Sequence, residues 1–435
     1  MNNSSFQTSY FFIHCHSKMD DIELYKERLS VVESLFAMRQ QQFDLLLEIT
    51  RIQNHNLPLQ ALVSIYEHIL SAQLGILRSA LIVQKGDNKW SCISYKGMNA
   101  AFLKTNFSVF VQEFEKTVGI SALPSYYQSE FEFVIPIMFK SQPIGYVLLG
   151  DIPDDKFDTE EEKLKFTQTI ASIVCSVHEN TRLTNMETQQ KIVQRDIQLA
   201  SEMQRMLVPS KFPENKYFKV SGFYKPFRGI GGDYYDFIPI SQNNYFFCIC
   251  DVSGKGIPAA MLMANFQANV RLMVYQGLSL EELCQILNNS VYSLAQGESF
   301  VTAFIGTINT ETGDCEYVNA GLNPTYTMVN GTLAMLSDGC TVLGALPKLP
   351  KIKTGKTNLL PSALLINYTD GITEATNAED EQFGEERLEQ FIKQNYQLPT
   401  ELFNLKLIQT LLAFCGNDTF DDDLSLLTIS YTSGN

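Results

Sequence analysis

Between Asp20 and about Ile52 the chain runs through Glu, Leu, Arg and Gln with neither Gly nor Pro, which predicts one or two helices able to pair with a second copy. The pattern then changes. A helical stretch over residues 59–77 gives way to alternating strand-like runs, SALIVQK, WSCISYKG, FEFVIPIMF and PIGYVLLGD, an α+β arrangement. After Asp158, the run Thr159-Glu160-Glu161-Glu162 supplies a helix cap and an acidic first turn. That helix is expected to continue toward Leu207, where Pro209 and Pro213 stop it.

Two offset seven-residue series run along this helix: Leu183, Gln190, Ile197 and Gln204, and Met186, Val193, Ala200 and Leu207. They describe a heptad seam with polar interruptions, read either as a helix packed on its own domain or as the seam of a parallel dimer that transmits a signal. From Tyr217 to Tyr431, short apolar strands separated by Gly and Asn turns are interrupted by helical stretches near 257–276 and 279–296, a strand-rich mixed domain. The expected organisation is a helical segment over 20–52, an α+β domain over 57–180, a helical linker over 181–208 and a second domain over 209–435.

A chain of 435 residues exceeds what one hydrophobic core usually supports, and 45% apolar with 19% charged residues is the composition of folded globular protein. The net charge of -15 argues against nucleic acid as a partner, because phosphate backbones are bound by clustered Lys and Arg. No run of eighteen apolar residues is present, and the opening MNNSSFQTSYFFIHCH lacks the basic and apolar regions of a signal peptide, so a cytoplasmic protein without membrane insertion is expected. The nine cysteines are scattered, with Cys248 and Cys250 in an apolar run, and read as reduced core thiols.

The informative chemistry lies in the placement of aspartates. Asp251 ends the run YFFCICD and Asp370 ends ALLINYTD; GGDYYD carries Asp233 and Asp236, and Asp422 and Asp423 precede LSLLTI. Four loops can thus converge carboxylates, which repel one another unless a cation or protons intervene. All five histidines lie at or before His178, so the C-terminal domain has neither a His-bearing triad nor a His-ligated zinc site. Oxygen donors alone suit Mg²⁺ or Mn²⁺, and two such ions activate water for attack on a phosphate ester. SGKG is no nucleotide-binding loop, since GxxxxGK[ST] is absent.

In order along the chain, GGDYYD (231–236), DVSGKG (251–256), FVTAFIG (300–306), AGLNP (320–324), YTDGITEATN (368–377), FG (383–384) and DDLSLLTI (422–429) resemble the SpoIIE-type protein phosphatases of the PPM, or protein phosphatase 2C-like, superfamily. The resemblance extends over about residues 195–431. It implies an α-β-β-α sandwich holding two Mn²⁺ or Mg²⁺ ions and hydrolysing phosphoserine or phosphothreonine in a bacterial regulatory protein, of the anti-sigma-factor antagonist kind. Matched residue by residue, Asp233, Asp251, Asp370 and Asp422 are the catalytic carboxylates. The resemblance implies that Asp233 and Asp251 hold metal with the Val252 carbonyl, that Asp251 bridges, and that Asp370 and Asp422 complete the second site. Asp236 and Asp423 either orient metal-bound water or support a ligand, and Arg228 either contacts phosphate or pairs with an acid. Leu322 stands where the family usually has His in AGHNP, so a weakened or inactive module that binds a signalling partner is the alternative.

Residues 57–180 resemble a GAF domain, which implies a six-stranded antiparallel sheet and an input from a small molecule or protein. In such proteins the linker joins two copies in a homodimer and relays the input. Cys92, Cys175, His68 and His178 read as ordinary core or surface residues.

Overall fold

The computed structural model describes residues 4–54, 58–86, 89–98, 107, 114, 116–119, 131–153, 159–227, 229–416 and 420–432, and its contacts divide into two units, Met1–Gln190 and Lys191–Asn435.

In the first unit, α1 (Ser4–Asn54) is longer than the segment expected, and α2 (Leu59–His68) is followed by a π-helical turn, Ile69–Gln73. Five strands are described, where the GAF resemblance implies six: β1 (Arg78–Gly86), β2 (Lys89–Lys96), β3 (Val118–Gly119), β4 (Phe133–Phe139) and β5 (Gln142–Gly150), antiparallel in the order β2-β1-β5-β4-β3. Alternation along β1 explains why its sequence is almost continuously apolar. Leu81 and Val83 face a core shared with α2 and with Phe166, Ile170 and Val174, whereas Ala80 and Ile82 face a second cluster with Phe131 and Tyr146.

The helix α3 (Glu160–Arg205) begins as the sequence predicts. The Thr159 hydroxyl accepts from the Glu162 amide at 3.3 Å, and the Glu162 carboxylate accepts from the Thr159 amide at 3.1 Å. It runs unbroken through the division between units.

The second unit contains two sheets. One has the order β13-β10-β9-β8-β7 with β14 also on β10, built from β7 (Tyr234–Pro239), β8 (Asn244–Val252), β9 (Val301–Asn309), β10 (Asp314–Ala320), β13 (Gly339–Cys340) and β14 (Gly355–Asn358). The other has the order β12-β11-β15-β16-β6, from β6 (Phe218–Lys225), β11 (Thr325–Val329), β12 (Thr332–Leu336), β15 (Ser362–Tyr368) and β16 (Leu424–Thr432).

Period-two alternation again sorts side chains into layers. Ala363, Leu365, Leu427 and Ile429 join Phe247 and Ile249 in the core between the sheets. Leu364, Ile366 and Leu426 face α6 (Gly384–Asn395) and α7 (Thr400–Cys415) through Leu388, Phe391, Phe403 and Leu407. The first sheet is covered by α4 (Ile257–Met273) and α5 (Leu280–Ala295), which bury Met263, Phe266, Leu283 and Leu287. This is the layered helix-sheet-sheet-helix arrangement. Among the described residues its layers hold four helices of more than one turn, over 257–273, 280–295, 384–395 and 400–415, where the sequence pattern predicts two.

Among the described residues no helix is long and apolar enough to cross a membrane, and Cys92, Cys175, Cys248, Cys250, Cys284, Cys315, Cys340 and Cys415 are free thiols.

Candidate active site

The strand registers bring the predicted carboxylates to one end of the two sheets. Tyr234 pairs with Cys250 across β7 and β8, so Asp233 and Asp251 continue those strands side by side. Tyr368 pairs with Leu426 across β15 and β16, which sets Asp370, in the turn after β15, beside the Asp422-Asp423 stretch that enters β16. Each sheet therefore contributes one pair of loops.

Asp233 is 1% exposed and accepts a hydrogen bond from the Thr369 hydroxyl at 2.8 Å; the Ser425 hydroxyl is buried beside it. Burial, and then the charges of Asp251 and Asp423, hold its carboxyl well above the usual range. Burial and the neighbouring Asp370 push Asp251 up to about 7, against a hydrogen bond with Asp233 that lowers it. Asp370 is raised by burial and by Glu374 and Asp422, and Asp423 chiefly by burial. Dry carboxylates in mutual contact stay protonated unless a cation offsets their charge.

Asp423 is fixed by accepting from two backbone amides, Phe227 at 2.8 Å and Gly232 at 2.7 Å. Gly231 is required there: a Cβ on it would lie 2.0 Å from the Asp423 carboxylate. A Cβ on Gly371 would likewise lie 2.1 Å from the Asp423 carbonyl. By contrast, Gly254 and Gly256 have open space where a Cβ would be, so their need is conformational, with φ of 94° and 76°.

Asp422 is part-exposed and its carboxylate is 2.9 Å from the Lys255 ammonium. The Val252 carbonyl packs toward the same loop, 2.9 Å from where a Cβ on Gly232 would be.

Asp236 does not join this group. It is buried against the α4 side, 2.7 Å from Arg271, accepts from the Tyr234 hydroxyl at 2.5 Å and from the Phe237 amide at 2.9 Å, and is a structural acid. Arg228 lies outside the described residues. Leu322 packs 7% exposed in the inter-sheet core, with its amide and carbonyl both bonded by the Asn319 side chain.

Two contributors escape the sequence pattern. Thr369 stands directly before Asp370 and bridges the sheets by bonding Asp233. Gln204, expected on the heptad seam, is instead 6% exposed and grips Gly231 at both ends, donating to its carbonyl at 2.5 Å and accepting from its amide at 3.1 Å. A polar residue at a seam position signals a specific partner, and here the partner is the loop that leads to Asp233. Farther up the helix, Leu183, Met186 and Val193 remain exposed.

Among the described residues no three His, Cys, Asp or Glu side chains close on one point as a ready ligand set. The chemistry of the donors still fits a hard divalent cation: carboxylate oxygens from four loops with a carbonyl nearby, and neither His nor Cys among them.

The family model described as Stage II sporulation protein E (SpoIIE) matches residues 241–432. Protein IcfG of Synechocystis sp. is 24% identical over 277 residues, covering 57% of this chain and 43% of that protein. Phosphoserine phosphatase RsbU of Bacillus subtilis is 26% identical over 187 residues, covering 42% and 55%. The chain thus spans about half the length of these curated relatives. Among solved structures, the SiaA-PP2C domain of Pseudomonas aeruginosa shares the fold, with TM-score 0.50 and 18% identity over 56% of this chain and 98% of that one.

Proposed function

We propose, from the premise that the C-terminal half of this chain is a SpoIIE-type, PP2C-like domain, that the protein is a metal-dependent phosphatase of phosphoserine or phosphothreonine in a bacterial regulatory protein. The observation that carries the proposal is the pairing of Asp233 and Asp251 from one sheet with Asp370 and Asp422 from the other, with burial and neighbouring charge raising Asp233, Asp251 and Asp370 above the usual carboxylate range. Asp233, Asp251 and the Val252 carbonyl would hold one Mn²⁺ or Mg²⁺, and Asp251, Asp370 and Asp422 the other. Such a pair of ions supplies an acidified water and neutralises charge on a phosphoryl group.

The chain's own residues keep these oxygens in place. Thr369 fixes the outer oxygen of Asp233, Asp423 clamps the 227–232 loop through two amides, and Gly231 and Gly371 leave room for that clamp. Substrate of the anti-sigma-factor antagonist kind, a cytoplasmic setting, a GAF-like input from residues 57–180 and a homodimer joined along α3 belong to the same proposal. The exposed Leu183, Met186 and Val193 support the dimer.

A second reading, a binding module with little turnover, is favoured by Leu322 and by the absence among the described residues of a closed ligand set. The test is turnover of a phosphoserine protein and of p-nitrophenyl phosphate with Mn²⁺, Mg²⁺ or EDTA. Turnover should require metal and fall by at least about 100-fold in Asp251→Asn, since losing even a supporting group around a metal costs up to that much. Metal binding without turnover, on candidate phosphoproteins as well, would establish the second reading.

A further inference from the structure

The acidic end of the sheets has an electrostatic problem of its own. If Asp233, Asp251, Asp370, Asp422 and Asp423 are all ionised, two divalent ions leave them one negative charge in excess, and the arriving phosphate monoester is itself an anion. Some fixed positive charge at the mouth is needed for phosphate to be held there.

Lys255 is placed to supply it. It stands in the loop between β8 and α4, between Gly254 and Gly256, and is 53% exposed. Its ammonium is 2.9 Å from Asp422 and donates to the Asp421 carbonyl at 2.8 Å. It also lies 5.2 Å from the centre of the Phe227 ring, the residue whose amide clamps Asp423. The side chain is thus tethered on three sides at the rim while its head reaches the oxygens of a proposed ligand. The next residues open α4, whose first turn has neither an acidic residue nor a side-chain cap, so the local backbone adds positive potential of the same sign.

Alternatives for Lys255 are weaker. An exposed ion pair contributes little to stability, so the contact with Asp422 alone does not account for the placement of Lys255 between two glycines held at positive φ. The position three residues after the Val252 carbonyl ties the ammonium to the reacting end of the sheet rather than to solvent.

We propose that Lys255 is the residue that grips the phosphoryl oxygens of the substrate, exchanging its bond to Asp422 for one to phosphate. The inference rests on the phosphatase reading. No bond to phosphorus is made or broken by Lys255; it stays protonated throughout, as a lysine beside several carboxylates does.

The experiment compares full-length wild type, Lys255→Met and Lys255→Arg. Steady-state turnover of a phosphoserine protein at saturating Mn²⁺ is combined with calorimetry of Mn²⁺ binding and of inorganic phosphate binding to the Mn²⁺-loaded chain. Lys255→Met should raise KM and the phosphate dissociation constant together by about tenfold or more, the loss of one hydrogen bond to a charged group. Its kcat should change far less, Lys255→Arg should recover most of the loss, and Mn²⁺ affinity should stay within about threefold. Unchanged KM and phosphate affinity would overturn the proposal, as would an effect confined to Mn²⁺ affinity, which would make Lys255 a counterion of Asp422. If wild type binds Mn²⁺ and phosphate but turns nothing over, the phosphatase reading fails while the phosphate titration still decides the role of Lys255.

Discussion

Asp233 and Asp236 lie three residues apart in one motif, yet they serve different layers of the molecule. Side chains alternate along β7, so residues an odd number apart face opposite ways, and Asp236 is turned to the helix side with Tyr234 and Arg271. The motif alone left Asp236 open between two roles; strand phase decides it, and phase depends on where the strand begins. Arg271→Ala should destabilise the second unit by about 1–2 kcal/mol. That is less than the 3–5 kcal/mol for breaking a fully buried pair, because Arg271 is half exposed and Asp236 keeps its bonds from Tyr234 and Phe237. A drop of a few degrees in thermal midpoint, with metal-dependent turnover unchanged at room temperature, is the expected result. Lost turnover in a variant that still melts normally would return Asp236 to the site.

At the scale of elements, what could be read from the sequence was whatever has a local signature. Strands ending in Asp-Gly or Asp-Val, the Thr159 capping box and the helices at 257–273 and 280–295 all carry one. The residue pattern did not mark the helices α6 and α7, although the α-β-β-α sandwich implied by the resemblance calls for a helical layer there. In α7, Leu402 and Leu405 are exposed while Phe403, Leu407 and Leu411 are buried, so apolar residues surround the axis and helical periodicity is blurred. The heptad series left open what covers its face, because repeat spacing shows that a face is special without naming its partner. Gln204→Ala tests what covers its last turn. Leaving the Gly231 amide and carbonyl unpaired should cost about 2 kcal/mol and loosen the loop before Asp233, raising the Mn²⁺ needed for half-maximal turnover. Ile197→Pro, which breaks α3 two turns earlier, should abolish dimerisation or regulation; a variant unchanged in both would refute the relay along this helix.

The whole molecule divides at Gln190 and Lys191, each unit having its own core, while the covalent path between them is helical. Length and the change in residue pattern already implied more than one domain, and the unbroken helical pattern from Thr159 toward Leu207 already implied a helix running through the division. A fragment of residues 191–435 should therefore unfold in one cooperative transition and keep basal metal-dependent turnover, while the full chain melts in two steps. A fragment that emerges unfolded would show that the first unit is needed for the second to hold together.

The closing of the second sheet has a consequence for how the protein is made. Among the described residues the first strand of that sheet, β6, pairs with β16 alone, and Gly232 meets the Asp423 carboxylate across 191 residues of chain. While the polypeptide is still leaving the ribosome, Asp233 and Asp251 can stand together on their completed hairpin, but the opposing pair has yet to emerge. A nascent chain halted between Asp251 and Asp370 thus carries half of the four-carboxylate set, and any chain halted after β6 and before Asp422 carries an unmatched strand edge. The site is completed late, so truncated products are candidates for chaperones and proteases rather than for unregulated hydrolysis.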